Sequence, residues 1–361
     1  MSESKNPEID LIMSRKKDGI DIPLSTNVQS RLNSNYLEYV KFIHNALPEI
    51  DFDEIRTDTK FLGYEFGAPI IIDSMTGGTT EALKINSRLG ALAEKFGFGM
   101  GLGSQRAGLK SDSLAETYSI ARKNAPSAFL IANIGGAQLA EGLDIKMIEK
   151  IISMISANAL VIHLNPLQEL IQPEGEPRYR GVLEKISKIS DSISIPIIVK
   201  EVGAGISREV ALILEKAKVN CINIAGSGGT SWAGIEKIRA TKVKNDIKEN
   251  LGELFWDWGI PTALSLIEVR NSVGIPLIAS GGIRNGLEIA KCISLGANMC
   301  AMAYPFLKAA AESQEALFKF SQQLISELKA TMFLTGSPNI LDLSKSRLIL
   351  TGELADMIIK K

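Results

Sequence analysis

Eight short apolar runs punctuate this chain, and each stops at glycine or a polar residue before an amphipathic segment begins. They occupy positions 69–72, 96–100, 129–132, 159–162, 196–199, 221–224, 276–279 and 299–302. A run that is apolar at every position, with no alternation, reads as a strand buried on both faces, as in a parallel sheet. Parallel strands need a long crossover, and helical patterns at 87–95, 208–217 and 287–295 supply such crossovers. Two runs open with Ile-Pro (Ile195-Pro196 and Ile275-Pro276), a position where a strand tolerates proline. Eight βα units in series predict an α/β fold, a closed (β/α)8 TIM barrel.

The 361 residues exceed what the barrel itself needs. Residues 1–66 read as an N-terminal extension, with a helical run at 34–44, and residues 67–361 as the barrel domain. The unit after the sixth strand is unusually long, and it carries the polar, basic stretch 237–248 and the cluster Phe255-Trp256-Asp257-Trp258. Long insertions of this kind serve as lids or interfaces, while the aromatic cluster itself reads as packing. An amphipathic helix is expected over 315–335.

Composition narrows the function classes. A net charge of −1 gives no bulk electrostatic handle for nucleic acid or an anionic membrane surface. No apolar run reaches the length of a membrane span. The start of the chain is polar and lacks the apolar core of a signal peptide. Cys221, Cys292 and Cys300 show no metal-ligand spacing and read as buried, reduced thiols. These features predict a cytoplasmic protein with neither nucleic acid nor membrane as partner.

The active site of a barrel lies at the C-terminal ends of its strands. The fourth strand ends in His163-Leu164-Asn165-Pro166-Leu167-Gln168-Glu169, polarity that is costly beside an apolar strand unless it is bonded. The fifth ends in Lys200, the sixth in Gly226-Ser227-Gly228-Gly229-Thr230, and the seventh in Ser280-Gly281-Gly282-Ile283-Arg284. Glycines let backbone N–H groups approach a phosphate, and Arg284 adds a fork of donors. A lysine at a strand end suits the electron-rich side of a reduced flavin. One such glycine turn is a tight turn and nothing more; glycine at most strand ends, with Lys200 and Arg284 among them, favours FMN. A second anion is expected. Arg15-Lys16 alone would be a solvated basic patch, but with Arg106 over the barrel mouth it could clamp a diphosphate. Glu169 then becomes the ligand for a bridging Mg²⁺, which takes one or two carboxylates plus phosphates.

Together these residues resemble type II, FMN-dependent isopentenyl-diphosphate isomerase over nearly the whole chain. The resemblance rests on Arg15-Lys16, Met75-Thr76-Gly77-Gly78, Gly103-Ser104-Gln105-Arg106, His163-Leu164-Asn165-Pro166 with Gln168-Glu169, Gln172 to Glu176, Gly228-Gly229-Thr230, Trp258 to Thr262 and Ser280 to Arg284. It implies reversible conversion of isopentenyl diphosphate to dimethylallyl diphosphate. It also implies reduced FMN, NADPH or NADH as reductant, Mg²⁺, and a homotetramer or homo-octamer. It assigns FMN binding to Ser74, Met75, Thr76, Ser104, Asn133, Lys200, Thr230, Gly282, Ile283, Arg284, Ala303 and Tyr304. It assigns substrate binding to Arg15, Lys16, Ser104, Gln105, Arg106, His163, Asn165 and Gln168, metal binding to Glu169, and catalysis to Gln168. Two departures stand out: Gly19 where the family usually has histidine, and Ala225 where it often has serine or threonine.

Moving a double bond needs one proton added and another removed. Strong protein acids are not clustered at these strand ends, so reduced FMN is expected to supply the acid/base groups, with Gln168 orienting or relaying. Two other readings remain open. An FMN-dependent oxidoreductase of the 2-hydroxy-acid type would want a histidine near the seventh strand end, whereas the two histidines are His44 and His163. A non-catalytic flavin-binding barrel would not need Arg15, Lys16, Arg106 and Glu169 around one mouth.

Overall fold

The computed structural model describes residues 7–359. The eight apolar runs form a closed, all-parallel barrel: β1 (Ile70–Ile72), β2 (Gly99–Gly101), β3 (Leu130–Gly135), β4 (Ala159–His163), β5 (Ile197–Lys200), β6 (Cys221–Asn223), β7 (Leu277–Ser280) and β8 (Met299–Met302). Pairing of Cys300 with Ile70 and of Ala301 with Ile71 joins β8 to β1 and closes the ring.

Strand parity sorts the side chains. Ile71, Ile131, Val161, Ile198, Ile278 and Met299 turn into the barrel and pack as one cluster. Their chain neighbours Ile70, Leu130, Leu160, Ile197, Leu277 and Cys300 turn outward, into the layer shared with the helices. A hairpin, Thr59–Phe61 paired with Tyr64–Phe66, plugs the N-terminal end, since Phe61 and Phe66 join the interior cluster alongside Phe129. That leaves the C-terminal end as the open mouth.

Around the barrel lie α1 (Pro7–Ser25), α2 (Pro166–Ile171) after β4, α3 (Trp232–Lys242) and α4 (Asp246–Leu254) after β6, α5 (Tyr304–Glu312) after β8 and α6 (Gln314–Thr335). The helices expected at 208–217 and 287–295 appear as Arg208–Lys216 and Gly286–Ser294. The expected helix at 34–44 does not form. Tyr36 sits at φ 63°, and one 3₁₀ turn (Leu37–Tyr39) leads into strand Val40–Phe42, which pairs antiparallel with Leu348–Leu350. The extension instead contributes α1, which crosses the barrel mouth against α3 and α5. The basic stretch of the insertion folds into α3 and α4. Trp256 behind it is buried, donating Nε1–H to Gln29 O at 3.0 Å under the Arg31 guanidinium, whereas Trp258 is 62% exposed. All three cysteines are free and buried.

Candidate active site at the barrel mouth

The parity that sends Ile71, Ile131, Val161, Ile198, Cys221 and Ile278 inward sends the next inward positions to the mouth. Those are Asp73, Asn133, His163, Lys200, Asn223 and Ser280, so a polar layer caps the apolar one. Its members satisfy one another. Lys200 lies 3.6 Å from Asp73 and donates to Glu201 O, Ser280 Oγ donates to Asn223 Oδ1 at 2.6 Å, and His163 Nδ1 meets Asn133 Oδ1 at 2.8 Å. Asn133 donates its Nδ2 to Leu102 O, which fixes Oδ1 toward the imidazole and makes Nδ1 the protonated nitrogen. Burial first, then Lys200, Arg15 and Lys16, hold the His163 pKa down at about 3. The ring is neutral and is no general acid at neutral pH.

The cleft above this layer is lined by Ser74, Met75, Thr76, Ser104, Asn133, His163, Gln168, Lys200, Thr230, Gly282, Ile283, Arg284, Ala303 and Tyr304, with Arg15 and Lys16 reaching in from α1. One side is a cradle of close backbone. A Cβ on Gly229 would meet Gly282 N at 2.5 Å, and one on Gly281 would meet Gly226 O at 2.0 Å. Arg284 overhangs the cradle, bonded to Gln29, whose Nε2 in turn donates to Thr230 Oγ1. The Thr76 hydroxyl, on the opposite wall, is buried and has no partner within the protein. A glycine cradle beneath a guanidinium and an orphaned hydroxyl across the cleft are features that a phosphorylated, polar-edged planar cofactor would satisfy.

Lys16 is the cation most altered by its setting. Its ammonium donates to Ser104 O at 2.8 Å, and burial, then Arg15 and Arg106, push its pKa down to about 7. Three cations crowded at one rim make an anion site. Arg106 itself stands outside the lining, half-exposed and 3.1 Å from Glu141.

Behind the cleft runs a chain of buried polar groups. Asn165 Nδ2 donates to Gln168 Oε1 (3.1 Å) and Glu169 Oε1 (3.2 Å); Gln168 Nε2 donates to Glu236 Oε1 (2.9 Å). Arg239 NH1 donates to Glu236 Oε2 at 2.7 Å, NH2 to Glu174 at 2.6 Å, and Nε to Asp18 on α1 at 3.2 Å. Burial raises the Glu236 pKa, and Arg239 opposes the rise. Glu236 and Arg239, on α3, are site residues that the sequence reading passed over. Their sequence signal is an i, i+3 acid–base pair at the start of the polar, basic stretch of the insertion.

Three expected substrate residues do not line the cleft. The Gln105 Nε2 donates to Ile151 O and its Oε1 accepts from Asn133 N, so its side chain braces the end of β3. Asn165 is buried behind Gln168, with its Oδ1 and N–H both taken by the Tyr179 hydroxyl. Arg106 is at the rim, as described. Glu169, also buried, accepts from Asn165 and from the Glu176 N–H. Among the described residues no group of three or more His, Cys, Asp or Glu could hold a metal ion. A divalent cation at Glu169 would therefore depend on substrate phosphates for its other ligands.

A family model described as FMN-dependent dehydrogenase matches residues 178–350. A protein from Methanosarcina mazei named isopentenyl-diphosphate delta-isomerase is 46% identical over 338 residues, which are 94% of this chain and 92% of that one. One of the same name from Rickettsia peacockii is 47% identical over 339 residues, 94% of this chain and 98% of its own. Among solved structures, a putative lactate oxidase from Pediococcus acidilactici superposes with a TM-score of 0.66 at 14% identity, covering 97% of this chain and 96% of that one. A mandelate oxidase does so with a TM-score of 0.61 at 15% identity, over 95% of this chain and 98% of its own. Likeness at that level of identity is likeness of fold.

Proposed function

The chain belongs to the isopentenyl-diphosphate delta-isomerase family, and from that premise we propose how its barrel mouth performs the reversible conversion of isopentenyl diphosphate to dimethylallyl diphosphate. The supporting observation is the Gln168–Glu236 pair. It is a neutral amide facing the cleft, backed by a buried carboxylate, in a cleft that Arg15 and Lys16 also line.

FMN would be held by Thr230 and Gly282 to Arg284 at its phosphate, with Ala303 and Tyr304 at the start of α5 beside them. Ser74, Met75, Thr76, Ser104, Asn133 and Lys200 would flank the ring system. When bound and reduced it supplies the proton-transfer groups that an unactivated alkene demands. NADPH or NADH is the reductant in this reading.

The protein's part is position and charge. Arg15 and Lys16 hold the diphosphate, with Ser104 beneath Lys16 and His163 flanking in its neutral form; Arg106 strengthens the rim field. Glu169 would hold the Mg²⁺, which would add positive charge against the diphosphate. So anchored, the alkene would be held beside Gln168, an arrangement that replaces a bimolecular encounter by a local one. Gln168 has its carbonyl committed to Asn165 and one N–H to Glu236, leaving its second N–H for the substrate side. The amide thereby couples the reacting carbons to the Glu236 carboxylate, which Arg239 keeps oriented. The 2-hydroxy-acid oxidoreductase reading loses its support: β7 ends in Ser280-Gly281-Gly282-Ile283-Arg284 without histidine, and His44 is exposed beyond the strand at Val40–Phe42.

The test is Gln168→Asn. Shortening the amide by one methylene breaks its reach to Glu236 while leaving the glycine cradle whole. Turnover should fall at least about 100-fold with flavin content unchanged; equal loss of both would remove Gln168 from this role. The assembly is proposed to be a homotetramer or homo-octamer, and its setting cytoplasmic; among the described residues no helix is long and apolar enough to cross a membrane.

A further inference from the structure

Gln168 lines a second, smaller space besides the cleft. This recess lies beyond the ends of β5 and β6, walled by Leu167, Val202, Trp232 and Trp256, and its volume is about 30 Å³. A water molecule needs about 10–15 Å³ and two to four polar partners, so the recess has room for one or two. Two polar side chains on its wall have bonding capacity that the protein leaves unused. Ser227 is buried, and its hydroxyl has no partner within the protein, a state that is costly unless something else bonds it. Glu201 is buried too. Its Oε2 accepts from the N–H groups of Val202, Gly203 and Ala204, and those three bonds leave Oε1 to the recess. Burial pushes the Glu201 pKa up to about 7 in spite of the three N–H groups, so its carboxyl is short of the partners that an ionised group needs.

The third polar group on the wall is the Gln168 amide. Its Oε1 accepts from Asn165 Nδ2, which uses one of two lone pairs. A water in the recess can accept from the Ser227 hydroxyl and donate to Glu201 Oε1 and Gln168 Oε1, three bonds that take up the spare capacity of each. We propose that the recess is a buried hydration site, and that Ser227 and Glu201 are positioning residues that act on Gln168 through the water it holds. The amide is then held from two sides, at Nε2 by Glu236 of α3 and at Oε1, through the water, by the segments that follow β5 and β6. The inference rests on the reading of Gln168 as the residue that orients the alkene. It adds two residues that make no contact with the substrate.

Crystallography and kinetics test it separately. In a high-resolution crystal structure of the FMN-loaded wild type, a water should lie within about 3.2 Å of Ser227 Oγ, Glu201 Oε1 and Gln168 Oε1. Ser227→Val fills the recess and should expel that water. Ser227→Ala removes one oxygen and should leave the water poorly ordered; it carries the same comparison if Ser227→Val does not fold. Turnover per bound flavin should fall at least about tenfold in Ser227→Val, and less in Ser227→Ala, since a misplacement of about 1 Å can cost about 100-fold. KM for isopentenyl diphosphate and flavin content should stay as in the wild type. A recess without ordered water in the wild type would overturn the proposal, as would wild-type turnover in a variant shown to have lost the water. Lower stability or flavin content, with turnover per bound flavin intact, would make Ser227 a packing residue and overturn the positioning role. Isomerisation absent from the wild type, with the water in place, would reject the proposed reaction and leave the hydration site standing.

Discussion

Gln168 has no useful acidity, so its contribution comes through what it joins: the cleft on one side and Glu236 on the other. Glu236→Gln keeps the shape of that pair and removes its basicity; turnover should drop by about two orders of magnitude or more, with diphosphate affinity nearly unchanged in calorimetry. Loss of affinity alone would place Glu236 in binding. Lys16 gives a pH dependence with a definite sign. Its pKa in the unliganded cleft is lowered to about 7, and a bound diphosphate favours the ammonium, so binding above that pH must take up a proton. Affinity should therefore be level below about pH 7 and fall as pH rises beyond it, by up to tenfold per unit. Titrations at pH 8 in two buffers of different ionisation heat would report the uptake, and Lys16→Met should abolish it. At this scale the sequence was partly legible. Asn133, His163 and Lys200 were readable because strand parity aims them at the mouth. Gln105 was not readable as a brace, because the 3₁₀ turn Gln105–Leu109 places its amide behind β3. Glu236 gave no local sign that a residue 68 positions away would bond it.

Among the elements, α1 matters most for completing the site, and Arg239 is what fastens it. One guanidinium, 8% exposed, holds Asp18 of α1, Glu174 beyond α2 and Glu236 of its own helix. Arg239→Met would strand the buried Glu236 carboxylate. The expected cost is about 3–5 kcal/mol of stability, read as a lowered denaturant midpoint, and diphosphate affinity should fall with it as Arg15 and Lys16 lose their seat. A variant with wild-type stability and affinity would show that α1 is held by its apolar contacts alone. In the opposite direction, Gly19→Ala should stabilise the protein by about 0.5–1 kcal/mol, since its Cβ meets Trp232 at contact distance and removes a mid-helix glycine. The helix itself was not evident from the sequence: Gly19 and Pro23 interrupt its pattern, and its partners on α3 and α5 are more than 200 positions away. The barrel strands were evident, because burial on both faces leaves a signature within each run that needs no partner to read.

Across the whole molecule, the parallel barrel arranges one apolar layer beneath one polar layer, with the hairpin at Thr59–Phe66 sealing the far end. The same ring that makes the core therefore presents all its polar strand ends at one mouth, and the extension and insertion close over that mouth from opposite directions along the chain. In the proposed reaction the reduced flavin would serve proton transfer with no net redox change. The direct measurement is anaerobic NMR in D₂O of the FMN-loaded protein with Mg²⁺ and isopentenyl diphosphate, before and after reduction by dithionite. Dimethylallyl diphosphate carrying solvent deuterium, formed over many turnovers after a single reduction, is the expected result. Product formed equally with oxidised flavin, or none with the reduced flavin bound, would contradict the account.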